Sequence, residues 1–201
     1  MIKNIVLDIG NVLGHFQWEL VFRDQLHLTG EDFDRVANAT TRNRIWYELD
    51  RSLVPDSEIL EECIKNSPQD EDVIRKFFDL LGSVVEDYDY ACDWINELKA
   101  AGYKVYILSN YGKTSFTNCR KNGKLSFVEL ADGAVISYEI HKVKPEPEIY
   151  EELFARYNLV PEECLFFDDN EANVIGGRKA GMKAEVFVNL DDAKRIIESY
   201  R

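Results

Sequence analysis

Hydrophobic and polar positions change texture along this chain, with a break near Tyr88. Residues 2–8 read as a strand whose continuous apolar run, Ile5-Val6-Leu7, suits burial on both faces. From there to Tyr88 helical spacing dominates. Residues 18–28 place Trp18, Leu20, Val21, Phe22 and Leu26 at amphipathic positions, and Thr29 offers a cap for a helix over 30–39. Further helices are predicted over 44–50, 56–65 and 70–80, the second opened by Pro55-Asp56 and closed before Pro68. Trp18 reads as core packing for this segment, and Trp46 as equally suited to core or substrate surface.

Beyond Tyr88 strands and helices alternate. A helix over 90–101 stops at Gly102, and strands are predicted at 104–108, 133–137, 164–167 and 185–188. Helices over 112–121, 145–157, 171–180 and 190–200 separate them. Strands recurring between helices call for a parallel sheet covered on both faces. The expected fold class is therefore α/β: a doubly wound, Rossmann-like parallel sheet core, with a small helical insert after the first strand. The boundaries are 1–14 and 86–201 for the core and 15–85 for the insert.

Charge narrows the partners. Lys and Arg total 24 against 37 Asp and Glu, a formal charge of −13, which disfavours nucleic acid and anionic membranes. A metal can still reverse the field locally, so an anionic substrate stays open. Cys63, Cys92, Cys119 and Cys164 lack metal-site spacing and read as reduced core thiols. No apolar run approaches a membrane span, and the first strand begins too early for a signal peptide. A cytoplasmic location is expected.

Chemistry gathers where apolar strands end. The first strand ends at Asp8, followed by Ile9-Gly10-Asn11; the second ends at Ser109-Asn110; a third ends at Asp168-Asp169-Asn170. Lys144-Pro145 precedes a helix between the last two; taken alone, Lys144 reads as a solvated lysine. Open α/β sheets build their sites at the carboxyl ends of their strands. Acids converging there repel one another unless a cation is bound, and hard oxygen ligands with an open position suit Mg2+.

Together these four segments resemble the haloacid dehalogenase-like (HAD) hydrolase superfamily: Asp8-x-Gly10-Asn11-Val12, Ile107-Leu108-Ser109-Asn110, Lys144-Pro145, and Phe166-Phe167-Asp168-Asp169-Asn170 with Asn173. The resemblance covers the whole chain and sets the helical insert where that family carries its C1 cap. It is nearest to phosphatases of the Asp-x-Gly-Asn-Val type, which include α-D-glucose-1-phosphate phosphatases. The resemblance implies Asp8 as nucleophile, Lys144 as the stabiliser of nucleophile and phosphate, and Ser109 and Asn110 as phosphate contacts. It also implies Mg2+ held by Asp8, the Gly10 carbonyl and Asp169, with Asp168 acting through a metal-bound water or through Lys144. The expected activity is magnesium-dependent hydrolysis of a small phosphorylated metabolite, a sugar phosphate being favoured, through an aspartyl-phosphate on Asp8.

One departure stands out. Many relatives carry an acid at position 10 that protonates the leaving oxygen; glycine has no proton to give, and such help is worth roughly 10²–10⁴-fold. Either the leaving group is easy, as in anomeric sugar phosphates, or another group substitutes. His15, Glu19, Glu48 and Asp50 are the candidates, His15 slightly ahead, with Trp46 a possible substrate contact. Two further readings are a metal-independent haloacid dehalogenase and a phosphometabolite-binding protein that has lost turnover along with that acid.

Overall fold

The computed structural model describes residues 1–200. Five strands form one parallel sheet in the order β5-β4-β1-β6-β7: β1 (Asn4–Leu7), β4 (Lys104–Ser109), β5 (Gly133–Ile136), β6 (Cys164–Asp168) and β7 (Lys183–Val186). Strand periodicity divides the core cleanly. Ile5, Leu7, Val105, Ile107, Leu165 and Phe167 belong to one buried cluster, whereas Val6, Tyr106, Leu108 and Phe166 belong to another. Successive side chains point to opposite faces, so both faces of the central strands are dry. Four residues of β1 are fully paired on both sides, which makes it the centre of the sheet.

Helices cover both faces. They are α6 (Ala91–Ala100) and α11 (Leu190–Ser199) on the first, and α9 (Pro147–Tyr157) and α10 (Glu171–Lys179) on the second. The core is completed by α7 (Lys113–Lys121) and the short α8 (Ser137–Ile140). Between β1 and α6 lie α1 (Trp18–Leu20), α2 (Gly30–Ala39), α3 (Ile45–Arg51), α4 (Asp56–Asn66) and α5 (Glu71–Asp79). Phe22, Phe33, Leu49, Ile59, Ile74 and Phe77 of this insert join the first cluster of the sheet. Phe22 anchors it, meeting Trp18, Phe33 and Phe77 edge-on at centroid distances of 5.2, 5.5 and 4.8 Å.

The structure departs from the sequence reading in four places. A pair of three-residue strands, β2 (Gly14–Phe16) and β3 (Val85–Asp87), runs antiparallel across the ends of the insert, where no strand was expected. Strands this short carry no periodicity, and their partners are remote in sequence. Gly14 permits the pairing: a Cβ there would come within 3.0 Å of Val85 Cγ1. The last strand occupies Lys183–Val186 rather than 185–188, because it is an edge strand registered on β6, with Leu165 opposite Lys183 and Asp168 opposite Val186. Helix α9 starts at Pro147, a first-turn proline whose missing N–H costs nothing, so Pro145 stays in the preceding loop. Finally, residues 18–28 form only α1 and a π turn over Val21–Gln25, ended by the left-handed His27. All four cysteines are free, three of them buried. Among the described residues no helix is long and apolar enough to cross a membrane.

Candidate active site

Leu7 pairs with Ile107 on one side and Phe167 on the other. Asp8 therefore emerges one step beyond the central strand, level with Asp168, and Ser109 ends the neighbouring strand. All three are buried. Lys144 reaches into the same spot from the loop before α9, with only 1 % of its surface exposed. Its Nζ lies 2.6 Å from Asp168 Oδ2 and 2.9 Å from Asp8 Oδ1, and donates to the Leu108 carbonyl at 2.8 Å. The contact to Asp8 is an ion pair whose alignment falls short of a hydrogen bond, and Asp8 Oδ1 has no hydrogen-bond partner. A buried carboxylate oxygen left in this state is costly unless something else binds it.

The surroundings fix each member. Asp168 accepts from the Asn170 backbone N–H at 2.9 Å and from Asn173 Nδ2 at 3.0 and 3.2 Å. Asn110 holds the Lys144 backbone at both ends: its Nδ2 donates to the Lys144 carbonyl at 3.0 Å, and its Oδ1 accepts the Lys144 N–H at 2.7 Å. The side chain predicted as a phosphate contact thus acts first as the clamp that aims the lysine. Asn11 adopts a left-handed backbone (φ 54°), donates from Nδ2 to Asp169 Oδ2 at 2.8 Å, and accepts the Phe16 N–H at 3.1 Å. It ties the exposed Asp169 to β2. Asn11 belongs to the first motif of the resemblance without this role; the Gly10-Asn11 pair marks a sharp turn in the sequence but not the partner of its side chain.

Electrostatics follow from this packing. Burial pushes the Asp8 carboxyl up to about 7, a shift that Lys144 opposes and Asp168 adds to. Burial alone would lower Lys144, but Asp168 and Asp8 outweigh it and hold the ammonium above its ordinary range. Asp169 is raised by desolvation, with the Asn11 hydrogen bond pulling the other way. Carboxylate oxygens of Asp8, Asp168 and Asp169 lie within 4.8 Å of one another. Three carboxylates against one ammonium leave two negative charges, the complement of one divalent cation. The all-oxygen donor set of this cluster fits a hard cation such as Mg2+.

A cavity of about 350 Å³ opens over this cluster. Asp8, Gly10 and Asp169 form its floor; Phe16, Trp46, Tyr47, Arg44 and Asp50 reach it from the insert side. Trp46 also stacks on Phe77 at 5.9 Å, so it serves core and cavity together. The four candidate acids separate sharply. Glu19 pairs with Arg23 and Glu48 with Arg51, and neither lines the cavity. His15 does not line it either: it stacks on Tyr88 with centroids 6.1 Å apart. Its neighbour on β2, Phe16, does face the cavity, and adjacent strand residues point to opposite sides. Asp50 lines it. A Cβ on Gly10 would meet only Asp8 Oδ2, at 3.8 Å, so packing does not demand glycine there.

Comparison with known proteins agrees with this arrangement. The family model for haloacid dehalogenase-like hydrolases matches residues 2–181. The chain belongs to that family. Among curated relatives of this hydrolase, Pyrophosphatase PpaX of Bacillus thuringiensis (strain Al Hakam) is 30% identical over 118 residues, 59% of this chain and 54% of the relative. The hydrolase thus spans about half the length of the curated relatives it matches. A HAD family enzyme from Bacteroides thetaiotaomicron, solved as a magnesium complex, superposes with a TM-score of 0.73 at 21% identity, covering 98% of each chain. A variant of that enzyme was solved with magnesium and inorganic phosphate (TM-score 0.69, 22% identity, 92% and 94% covered). L-2-haloacid dehalogenase from Xanthobacter autotrophicus, with chloropropionic acid covalently bound, gives 0.68 at 19% identity, over 99% of this chain and 83% of that one. At these identities the structural likenesses establish the fold.

Proposed function

We propose that this hydrolase is a magnesium-dependent phosphatase acting on a small phosphorylated metabolite, with residues 15–85 as the cap over its site. One observation carries the reading: the buried Lys144 ammonium bridges Asp8 and Asp168 beside Asp169, leaving an excess of two negative charges at the mouth of a cavity. That arrangement suits a divalent cation and a phosphate together. It has no evident use in a metal-independent dehalogenase.

Asp8 is the nucleophile. Its unpartnered Oδ1 is held by a lysine rather than locked in hydrogen bonds, which leaves a lone pair for phosphorus. Lys144 balances charge on Asp8 and on the equatorial phosphoryl oxygens. Ser109, buried at the end of β4 and acting to lower the neighbouring Asp8 carboxyl, is placed to donate to phosphate, and the remaining N–H of Asn110 can join it. Asp8, Asp169 and the Gly10 carbonyl would hold the metal, with Asp168 oriented by Asn173 and Lys144 behind them. Bound magnesium supplies positive charge to the phosphoryl oxygens. The residues themselves position the groups and stabilise charge as it develops.

The cavity volume suits a metabolite of sugar-phosphate size, and its mixed walls of Trp46, Tyr47, Asn43 and Asp56 suit a hydroxylated one. The test is hydrolysis of a phosphomonoester panel that includes anomeric sugar phosphates, with pyrophosphate added because PpaX is named for it. We expect phosphate release with magnesium, none after chelation, and a magnesium-dependent rise in melting temperature of the folded protein. Phosphate release that persists in excess chelator, or chloride release from 2-chloroacids in its place, overturns the reading.

A further inference from the structure

Position 10 holds no proton donor, yet an alkyl phosphate needs one. We propose that Asp50 is the acid–base group of this site, delivering from the helical insert the proton that Gly10 lacks. The proposal rests on the phosphatase reading above.

Asp50 stands at the end of α3, and that end is tied to the sheet domain on every side. Arg51 pairs with both oxygens of Glu146 at 2.9 and 2.8 Å. The Arg51 carbonyl lies 2.9 Å from His141 Nδ1. The Ser137 hydroxyl donates to the Asp50 carbonyl at 2.7 Å and accepts the Tyr111 N–H at 2.8 Å. Ser52 Oγ accepts the Lys113 N–H at 3.1 Å. Gly112 packs so closely that a Cβ there would come within 3.0 Å of the Leu49 carbonyl.

These anchors are Tyr111, Gly112 and Lys113, which directly follow Ser109 at the end of β4 and Asn110, and the segment from α8 to Glu146, which includes Lys144. The backbone under Asp50 is therefore built on the same loops as the phosphate and lysine positions. A catalytic acid needs this preorganisation, since small misplacements are expensive. Asp56, the other insert acid on the cavity, lies at the start of α4, beyond the tied segment.

The half-buried Asp50 carboxyl shares the cavity wall with Asp8. Burial, with the Asp8 charge adding to it, pushes that carboxyl up to about 8; Lys144 and the Gly112 N–H pull the other way. In the first step Asp8 forms a bond to phosphorus as the ester P–O bond breaks. The bonding pair goes to the leaving oxygen, and Asp50 O–H protonates it. In the second step water attacks the aspartyl-phosphate, the P–O bond to Asp8 breaks, and the Asp50 carboxylate takes the proton from that water. The sum is ester plus water giving alcohol plus phosphate.

Leaving-group dependence tests this. kcat/KM reports the steps through formation of the aspartyl-phosphate, and p-nitrophenol leaves without protonation whereas a primary alcohol does not. Asp50→Asn is expected to lower kcat/KM for a primary alkyl phosphate by about 100-fold or more, and for p-nitrophenyl phosphate by only a few-fold. The retained aryl activity also shows that the variant is folded. Equal losses with both esters overturn the role of Asp50 alone, as does the same signature arising from Asp56→Asn. Wild-type protein inert toward both esters and toward the rest of the phosphomonoester panel overturns the phosphatase reading itself, and the Asp50 role with it.

Discussion

Asp8→Asn is expected to abolish turnover, lowering kcat by at least about four orders of magnitude, while making the metal-free protein more stable at neutral pH. Loss of turnover follows if Asp8 is the nucleophile proposed above, since an amide cannot form the aspartyl-phosphate. The gain in stability follows from burial. The Asp8 carboxyl is raised from 3.8 to about 7 chiefly because its charged form is desolvated. A carboxyl raised on folding contributes stability below its unfolded pKa, and that contribution is lost as pH rises through the folded one. Wild type therefore pays an increasing cost between about pH 4 and 7 that asparagine avoids. The gain should be full at about pH 8 and should fade toward about pH 4. Melting curves in chelator at both ends of this range check the sign. A variant that melts below wild type at the alkaline end refutes the account of Asp8 as a group kept for chemistry against stability.

Lys144→Met should have the largest effect on the fold. The ammonium is buried against Asp8, Asp168 and the Leu108 carbonyl, so its removal leaves two carboxylates facing each other without compensation. Breaking a buried ion pair by deleting one partner costs about 3–5 kcal/mol, roughly 6–20 °C in a chain of this size. kcat should fall by at least about 10²–10³-fold, as for loss of one preorganised charge-stabilising donor. Magnesium should then recover more of the melting temperature in the variant than it adds to wild type, because the bare site carries one more negative charge. Combining Lys144→Met with Asp8→Asn should restore part of the stability, since residues in contact do not act additively. A double variant no more stable than Lys144→Met would place the cost elsewhere, in lost packing.

Asp8, Ser109, Asp168 and Asp169 were legible because a polar residue ending a dry apolar strand is conspicuous, and three such ends had to lie at one edge of a parallel sheet. Lys144 was different. By its own sequence context it reads as a solvated lysine before a proline, and only the four-part resemblance singled it out. Its near-complete burial depends on Asn110 gripping its backbone from a strand end 34 residues away. The hairpin of β2 and β3 was invisible because three-residue strands have no period. That omission mattered for His15: once β2 is a strand with Phe16 facing the cavity, His15 faces Tyr88. Asp50 stood among four candidate acids with nothing in local sequence to favour it.

By itself, the chain determined the layers and the strand ends: alternation of apolar runs and amphipathic helices fixes which segments are strands of a covered parallel sheet and which are helices that cover it, and local patterning carries that information. Which polar side chains meet was decided only by the tertiary structure, because a contact between the loop at Lys144, the end of α3 and the tip of β1 depends on register and loop path. Neither is written in the period of the sequence. The vacancy at Gly10 was plain from the sequence, whereas the anchoring of the insert to the core through Asp50, Arg51 and Ser52, on which the proposal for Asp50 rests, became apparent only in the structure.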